Sequence, residues 1–215
     1  MKNQEKLEYK RDLVLDTMER LLRQPNGDHT SIAQIAKEAG IGKGSVYYYF
    51  NSREEIIDAL ITRVYSESIS QCQLVLLENE TNAIEKLKKI LTIYVQNMTT
   101  DKLILVQYIY KEENAVIRQK TKDQNVKNIV PIIAKILEQG IVEKTFECEY
   151  ICEFAEYFIS LMETCFYYLL FQKDMAKNKN KLLALEEIFE SSLKAPKNSF
   201  NFFHEILLQY YFPIS

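Results

Sequence analysis

The stretch from Thr30 to Ile56 constrains this chain more than any other. Ser31 with Gln34 three residues on is a capping-box signature and predicts a helix start. Ile32, Ile35, Ala36 and Ala39 fall on one face of that helix, and the small alanines let a neighbour approach closely. Gly40 is placed as the left-handed terminator, Ile41 plugs the turn, and Gly42 caps the next helix without a hydroxyl. In that second helix, Lys43 to Phe50, the residues Val46 and Phe50 share an inward face. The opposite face centres on Tyr48 with Gly44 and Ser45 beside it. Lys43 and Tyr47 form one flank and Tyr49 the other. Hydrogen-bonding groups and a glycine on an outward helix face are what a helix needs to enter the major groove and read base edges. Two nucleotide-binding readings of the glycines fail. A dinucleotide loop would need its third glycine where Ser45 stands, and no Gly-Lys-Ser/Thr triplet exists for a phosphate loop.

The run Ile35-Ala36, Ala39-Gly40-Ile41, Lys43-Gly44, Tyr47, Phe50 and Ser52-Arg53-Glu54-Glu55 resembles the DNA-binding segment of the tetracycline-repressor (TetR) family of bacterial transcriptional regulators. The likeness covers about residues 10 to 60; beyond that it is one of length and helical layout. It implies an all-α protein in which a three-helix helix-turn-helix head (1–51) is joined by a long helix (52–77) to a C-terminal ligand-binding and dimerisation domain (78–215). It implies a homodimeric, ligand-responsive regulator, a repressor of a palindromic operator released by a small-molecule inducer. An enzyme is one rival reading, but no Ser/His/Asp set, metal cluster or phosphate loop supports it, and no cofactor is expected. The DNA-contacting set would be Ser31, Gly42, Lys43, Gly44, Ser45, Tyr47, Tyr48, Tyr49 and Arg53. Lys43 and Tyr48 would reach bases or adjacent backbone, Ser45 would read a base directly, and Gly44 would permit close approach. Tyr47, Tyr49 and Arg53 would bind phosphates. Family members commonly carry serine or threonine where this chain has Gly42, so one hydroxyl contact is missing, although the helix N-terminus still favours a phosphate. The alternative is a helical interaction module whose head does not bind DNA.

Charge alone argues nothing for nucleic acid: the net charge is −3, and residues 1–60 hold nine Lys and Arg against ten Asp and Glu. Binding must therefore depend on where the cations sit, and its salt dependence should be modest. Only 5 Gly and 4 Pro in 215 residues leave few breakers, which favours helix throughout. The first residues are polar, with no secretory core. The longest apolar run, Phe158 to Phe171, is too short to span a bilayer and contains Glu163, so a cytoplasmic protein with reduced thiols is expected.

Along the chain, residues 1–9 read as a polar arm and about Lys10 to Gln24 as the first helix. Ser52 and Glu55 form a second capping box, opening an unbroken helix to about Leu77. Further helices are predicted at about Asn82–Met98, Leu103–Tyr110, Asn114–Gln139 with a kink or restart at Pro131, Glu147–Gln172, Asn180–Lys194 and Ser199–Tyr211. In the 147–172 helix, Glu149, Glu153, Glu156, Ser160, Glu163 and Tyr167 form one polar stripe and nearly everything else is apolar. That face is wider than one neighbour covers, so it calls for a second subunit or a ligand. In the family resembled, the last two long helices form an intersubunit four-helix bundle, here 147–172 with 180–194. Phe200, Phe202, Phe203 and Tyr210 would cover the bundle or the pocket.

Tyr94, Met98, Tyr108, Phe154, Phe158, Met162 and Phe166 are the candidate inducer-pocket residues, although core packing alone explains most of them. Glu163 could meet a cationic ligand, but its place in the polar stripe favours a solvated or dimer-rim role. Cys148 and Cys152, at i and i+4, could form a thiol sensor or metal pair. With no histidine near them, small buried hydrophobes are the plainer reading.

Overall fold

The computed structural model describes residues 2–24, 27–99, 103–172 and 174–211, and the side chains at 2–6, 28, 97–99, 175 and 208–211 are outside that description. Among the described residues there are eleven α-helices and no strand. They are α1 (Lys2–Leu22), α2 (Ile32–Glu38), α3 (Lys43–Tyr49), α4 (Arg53–Leu76), α5 (Ala83–Thr99), α6 (Leu103–Ile109), α7 (Ala115–Asn128), α8 (Val130–Val142), α9 (Ile151–Phe171), α10 (Met175–Ser192) and α11 (Phe202–Tyr211). Short 3-10 turns at Gly27–His29 and Glu112–Asn114 precede α2 and α7. No described helix is long and apolar enough to cross a membrane.

Several boundaries differ from the sequence expectation, among them the starts of α9 at Ile151 and α11 at Phe202, and three have a plain physical reason. The polar arm is helical: α1 starts at Lys2, because Lys, Gln and Glu without Gly or Pro sustain a helix as well as apolar residues do. α10 starts at Met175 rather than about Asn180, since the carboxylate of Asp174 accepts the Lys177 N–H at 3.0 Å and caps the end. Pro131 marks a restart: α7 stops at Asn128 and α8 begins at Val130, placing the proline in a first turn where its missing N–H costs nothing.

The chain divides into two compact units. The first comprises residues 1–67 and 101–118. Val14, Leu15, Met18, Leu21 and Leu22 from α1 meet Ile35 and Ala36 from α2, Val46 and Phe50 at α3, and Ile56, Ile57, Leu60 and Ile61 from α4. Leu105, Tyr108 and Ile109 of α6 complete this core, so a segment remote in sequence belongs to the head. On its surface, Arg63 binds Asp16 at 2.7 Å and Glu19 at 3.1 Å, tying α4 to α1.

The second unit comprises residues 68–100 and 119–215. In it α9 packs on α8 and α10, α8 on α5, and α11 on both α5 and α10. Phe158 and Phe189 stack at 4.5 Å, and Phe203 lies 5.8 Å from Phe158 and 5.5 Å from Phe189. Phe146 and Phe200 stack at 6.0 Å at the margin of the same cluster. The last helix is thus an integral part of this core. Its start is tied by Glu186 of α10, whose carboxylate accepts the His204 backbone N–H at 2.8 Å and lies 2.8 Å from His204 Nδ1.

Candidate functional site

The head's turn is built by local rules. Ser31 Oγ accepts the Gln34 N–H at 3.2 Å, starting α2. Gly40 takes φ +64°, which a side chain would oppose, and its turn lets the Ile41 N–H reach Ala36 O at 3.0 Å. Gly42 occupies the N-cap of α3 with no side-chain hydrogen bond, as its missing hydroxyl dictates. At the start of α4, Ser52 Oγ accepts the Glu55 N–H at 3.1 Å while Glu55 reaches back to the Asn51 N–H at 2.7 Å. The capping box closes one residue farther back than its usual form.

These caps present α3 with Val46 and Phe50 buried and its other side bare. Gly42, Lys43 and Gly44 are exposed, Tyr48 is 71% exposed and Tyr47 48%. Ser45 is half-buried. A Cβ at Gly42 or Gly44 would meet nothing within 4 Å, so nothing in the protein itself requires glycine at either position. Lys43 Nζ lies 5.6 Å from the centre of the Tyr47 ring, a contact that holds a cation beside the open face. Many of the head's other basic groups are engaged by carboxylates: Arg20 with Glu38, Arg23 with Glu19, Arg63 with Asp16 and Glu19.

Two expected phosphate ligands sit differently from the rest. Tyr49 is half-buried against the head core and meets Tyr48 edge-on at 5.0 Å, so it braces the exposed ring. The Arg53 side chain is only 17% exposed, lies 3.4 Å from Glu54 and places its guanidinium 5.9 Å from the Tyr108 ring centre. Sequence gave no hint of that last pairing, because Tyr108 arrives from α6. Ser31 is exposed, with its hydroxyl already serving the cap.

The seven expected pocket residues do not form one group. Tyr108 belongs to the head core. Phe154 and Phe158 join the aromatic cluster around Phe189. Phe154 also lines an open groove of about 640 Å³ with Cys148, Tyr150, Glu153, Tyr157 and Lys194. Met162 is buried. Met98 lies on α5, but its side chain is outside the described residues. Tyr94 and Phe166 do meet, with ring centres 5.2 Å apart.

Beside that pair lies a polar cluster that sequence reasoning missed. Asn125 of α7, 1% exposed, donates from Nδ2 to Tyr94 Oη at 3.1 Å and to Glu163 Oε1 at 2.6 Å. Glu163 therefore leaves the solvated stripe assigned to it and turns to α7, where burial raises its carboxyl pKa against the opposing pull of the Asn125 bond and Lys122. Sequence carried no direct signal for the cluster, since Asn125 reads as one more polar residue beside Asp123 and Gln124.

The four cysteines are free thiols. Cys152 is exposed, contrary to the buried expectation, because it lies on the outer side of the first turn of α9. Cys148 is half-buried, and burial with the Glu153 carboxylate pushes its thiol pKa up, the wrong direction for a reactive thiolate. Among the described residues no group of three or more His, Cys, Asp or Glu could hold a metal.

Comparison with known proteins agrees with this geometry. The sequence pattern of bacterial regulatory proteins, tetR family, matches residues 14–60, the segment that carries α2, the glycine turn, α3 and the start of α4. The chain is 30% identical over 119 residues to the Fatty acid metabolism regulator protein of Bacillus subtilis (strain 168), a match covering 54% of this chain and 60% of that protein. It spans about three fifths or less of the length of the curated relatives it matches. In fold it is similar to SmeT, the repressor of the Stenotrophomonas maltophilia multidrug efflux pump SmeDEF, at TM-score 0.66 and 14% identity over 88% of this chain and 92% of that one. RolR in complex with resorcinol is similar at TM-score 0.61 and 18% identity, covering 95% of each chain. Residues 14–60, with α2, the turn and α3, thus carry the N-terminal segment of the tetR family of bacterial regulatory proteins, and the helical layout is similar to solved structures such as SmeT over most of the chain.

Proposed function

We propose that the protein is a homodimeric transcriptional regulator, a repressor that grips a palindromic operator with α3 in the major groove and is released by a small molecule bound in its second unit. One observation carries the DNA-binding part: α3 bears an uncovered face of two glycines, a lysine and two tyrosines, and the fold itself needs none of them there. Tyr48 and Lys43 are the base-side contacts, Ser45 reads an edge from the flank, and the α3 N-terminus with Tyr47 holds phosphate. Arg53 serves to fix the start of α4 rather than to reach outward.

The partner in this reading is a second copy across α9 and α10. Tyr157, Tyr167 and Phe171 on α9, with Tyr150 at its N-cap and Leu183 and Ile188 on α10, are large side chains left exposed. Recognition of a palindrome in successive major grooves requires two α3 helices about 34–36 Å apart, or a multiple of that. Release by a ligand requires that it bind the two conformations with different affinity. The resorcinol-bound relative supports a small-molecule site in a fold of this kind. A role on operator DNA places the protein in the cytoplasm.

The test is protection of a labelled fragment from the gene's own upstream region. The expected result is a protected palindrome, abolished by Lys43→Ala with Tyr48→Ala in a protein that still melts cooperatively. Protection unchanged in that double variant would refute the assigned face. Absence of any protected site would leave a helical interaction module.

A further inference from the structure

The buried polar cluster of the second unit is unbalanced in a way that specifies a ligand. Asn125 Oδ1 is fully buried and has no hydrogen-bond partner. The amide cannot simply be turned over, because Oδ1 would then face the Glu163 carboxylate that Nδ2 now serves at 2.6 Å. Glu163 makes its single bond through Oε1, and no ion pair engages it among the described residues; Lys122 acts on it only at a distance. Three helices, α5, α7 and α9, thus converge on one buried acceptor, Asn125 Oδ1, that lacks a donor. A half-satisfied polar network costs more than an apolar core of the same volume. A ligand that supplies the missing donor removes that cost.

What is missing has a definite chemistry. Asn125 Oδ1 calls for an N–H or O–H donor, and the adjoining Glu163 carboxylate, engaged by one hydrogen bond and by no ion pair among the described residues, favours positive charge. The rings of Tyr94 and Phe166, 5.2 Å apart and tilted by 31°, add an aromatic wall that favours a cation or a flat ring. Glu163 is only half-buried, which gives the cluster a side open to solvent. We propose that Asn125, Glu163 and Tyr94 form the polar end of a site for a protonated organic amine carrying an aromatic group. The amine donates to Asn125 Oδ1 and Glu163, and its ring lies against Tyr94 and Phe166. This rests on reading the second unit as the ligand-binding part, and it narrows the ligand to one chemical class.

The experiment uses the full chain and benzylamine as probe, with benzoate and benzyl alcohol as shape-matched anionic and neutral counterparts, followed by titration calorimetry. Benzylamine should bind and the other two should not. Glu163→Gln and Asn125→Leu should each weaken it by about tenfold or more. Equal binding of benzoate or benzyl alcohol, no binding of benzylamine at millimolar concentration, or undiminished affinity in Glu163→Gln would overturn the assignment. Should either variant fail to fold, a carbon-13 titration of the Glu163 carboxyl in the unaltered protein decides. Saturating benzylamine should lower its midpoint, and an unmoved midpoint is the refuting result. Operator protection is measured on the same preparations. Loss of DNA binding with amine binding intact removes the regulator and leaves the site; the reverse removes the site and leaves the regulator.

Discussion

Gly44→Ala separates what α3 needs for folding from what it needs for recognition. Glycine within a helix is destabilising because it gives up the most backbone freedom on folding, by about 0.5–1 kcal/mol relative to alanine. Its φ is not in the left-handed region, and a Cβ there would have no atom within 4 Å. The substitution should therefore stabilise the free protein by about 0.5–1 kcal/mol, a rise in melting midpoint of about 1–4 °C for a chain of this size. If α3 is pressed into a groove, the same methyl group occupies space that the DNA requires, and affinity should fall by at least about tenfold, roughly 1.4 kcal/mol. Stability and affinity thus move in opposite directions. Gly42→Ser is the control, because it adds a side chain at a neighbouring glycine that is equally open. It restores an N-cap hydroxyl worth a few tenths of a kcal/mol over glycine and should raise both quantities. Calorimetric melting and a gel-shift titration on the protected fragment measure the two. A Gly44→Ala protein that binds DNA as tightly as the parent would refute the placement of α3 against duplex.

Three further outcomes follow from the second unit. Glu163 has its folded pKa raised by burial, so its contribution favours the fold below the ordinary carboxylate range and is lost as pH rises through the folded value; Glu163→Gln should raise the melting midpoint at neutral pH, and a gain that persists at acid pH would contradict this sign. If the proposed dimer forms through α10, Leu183→Glu with Ile188→Glu, both exposed positions, should give a folded monomer in sedimentation velocity and abolish operator protection together; an unchanged sedimentation coefficient would refute that interface. Gly140→Ala should cost about 1–3 kcal/mol in urea unfolding, because its Cβ would stand 2.1 Å from Cδ2 of Phe146, a ring held against Phe200.

Legibility in the sequence followed the range of the interactions. Caps and turns span three to five residues, so Ser31 with Gln34, Gly40, and Ser52 with Glu55 stood where their spacing predicts, and the all-helical composition followed from scarce breakers. The polar arm was misread because polarity was taken for lack of structure, whereas Lys, Glu and Gln are good helix formers. The side each residue shows was less legible. Tyr47, Tyr48 and Tyr49 are neighbours of one type, yet only the first two face outward, since α3 turns Tyr49 onto the head core.

By itself the sequence determined the helices, the caps at Ser31 and Ser52, the glycine turn and the apolar stripes, because each is settled by atoms a few bonds apart or by a repeat of 3.6 residues. The tertiary structure alone decided that Tyr108 joins the head beside Arg53, that Phe158 belongs to an aromatic core closed by α11, and that Glu163 pairs with Asn125. A wide apolar helix face has several angles at which it can be buried. Which one is realised depends on the volumes and hydrogen-bonding groups that distant helices bring to it, and those partners have no fixed offset along the chain.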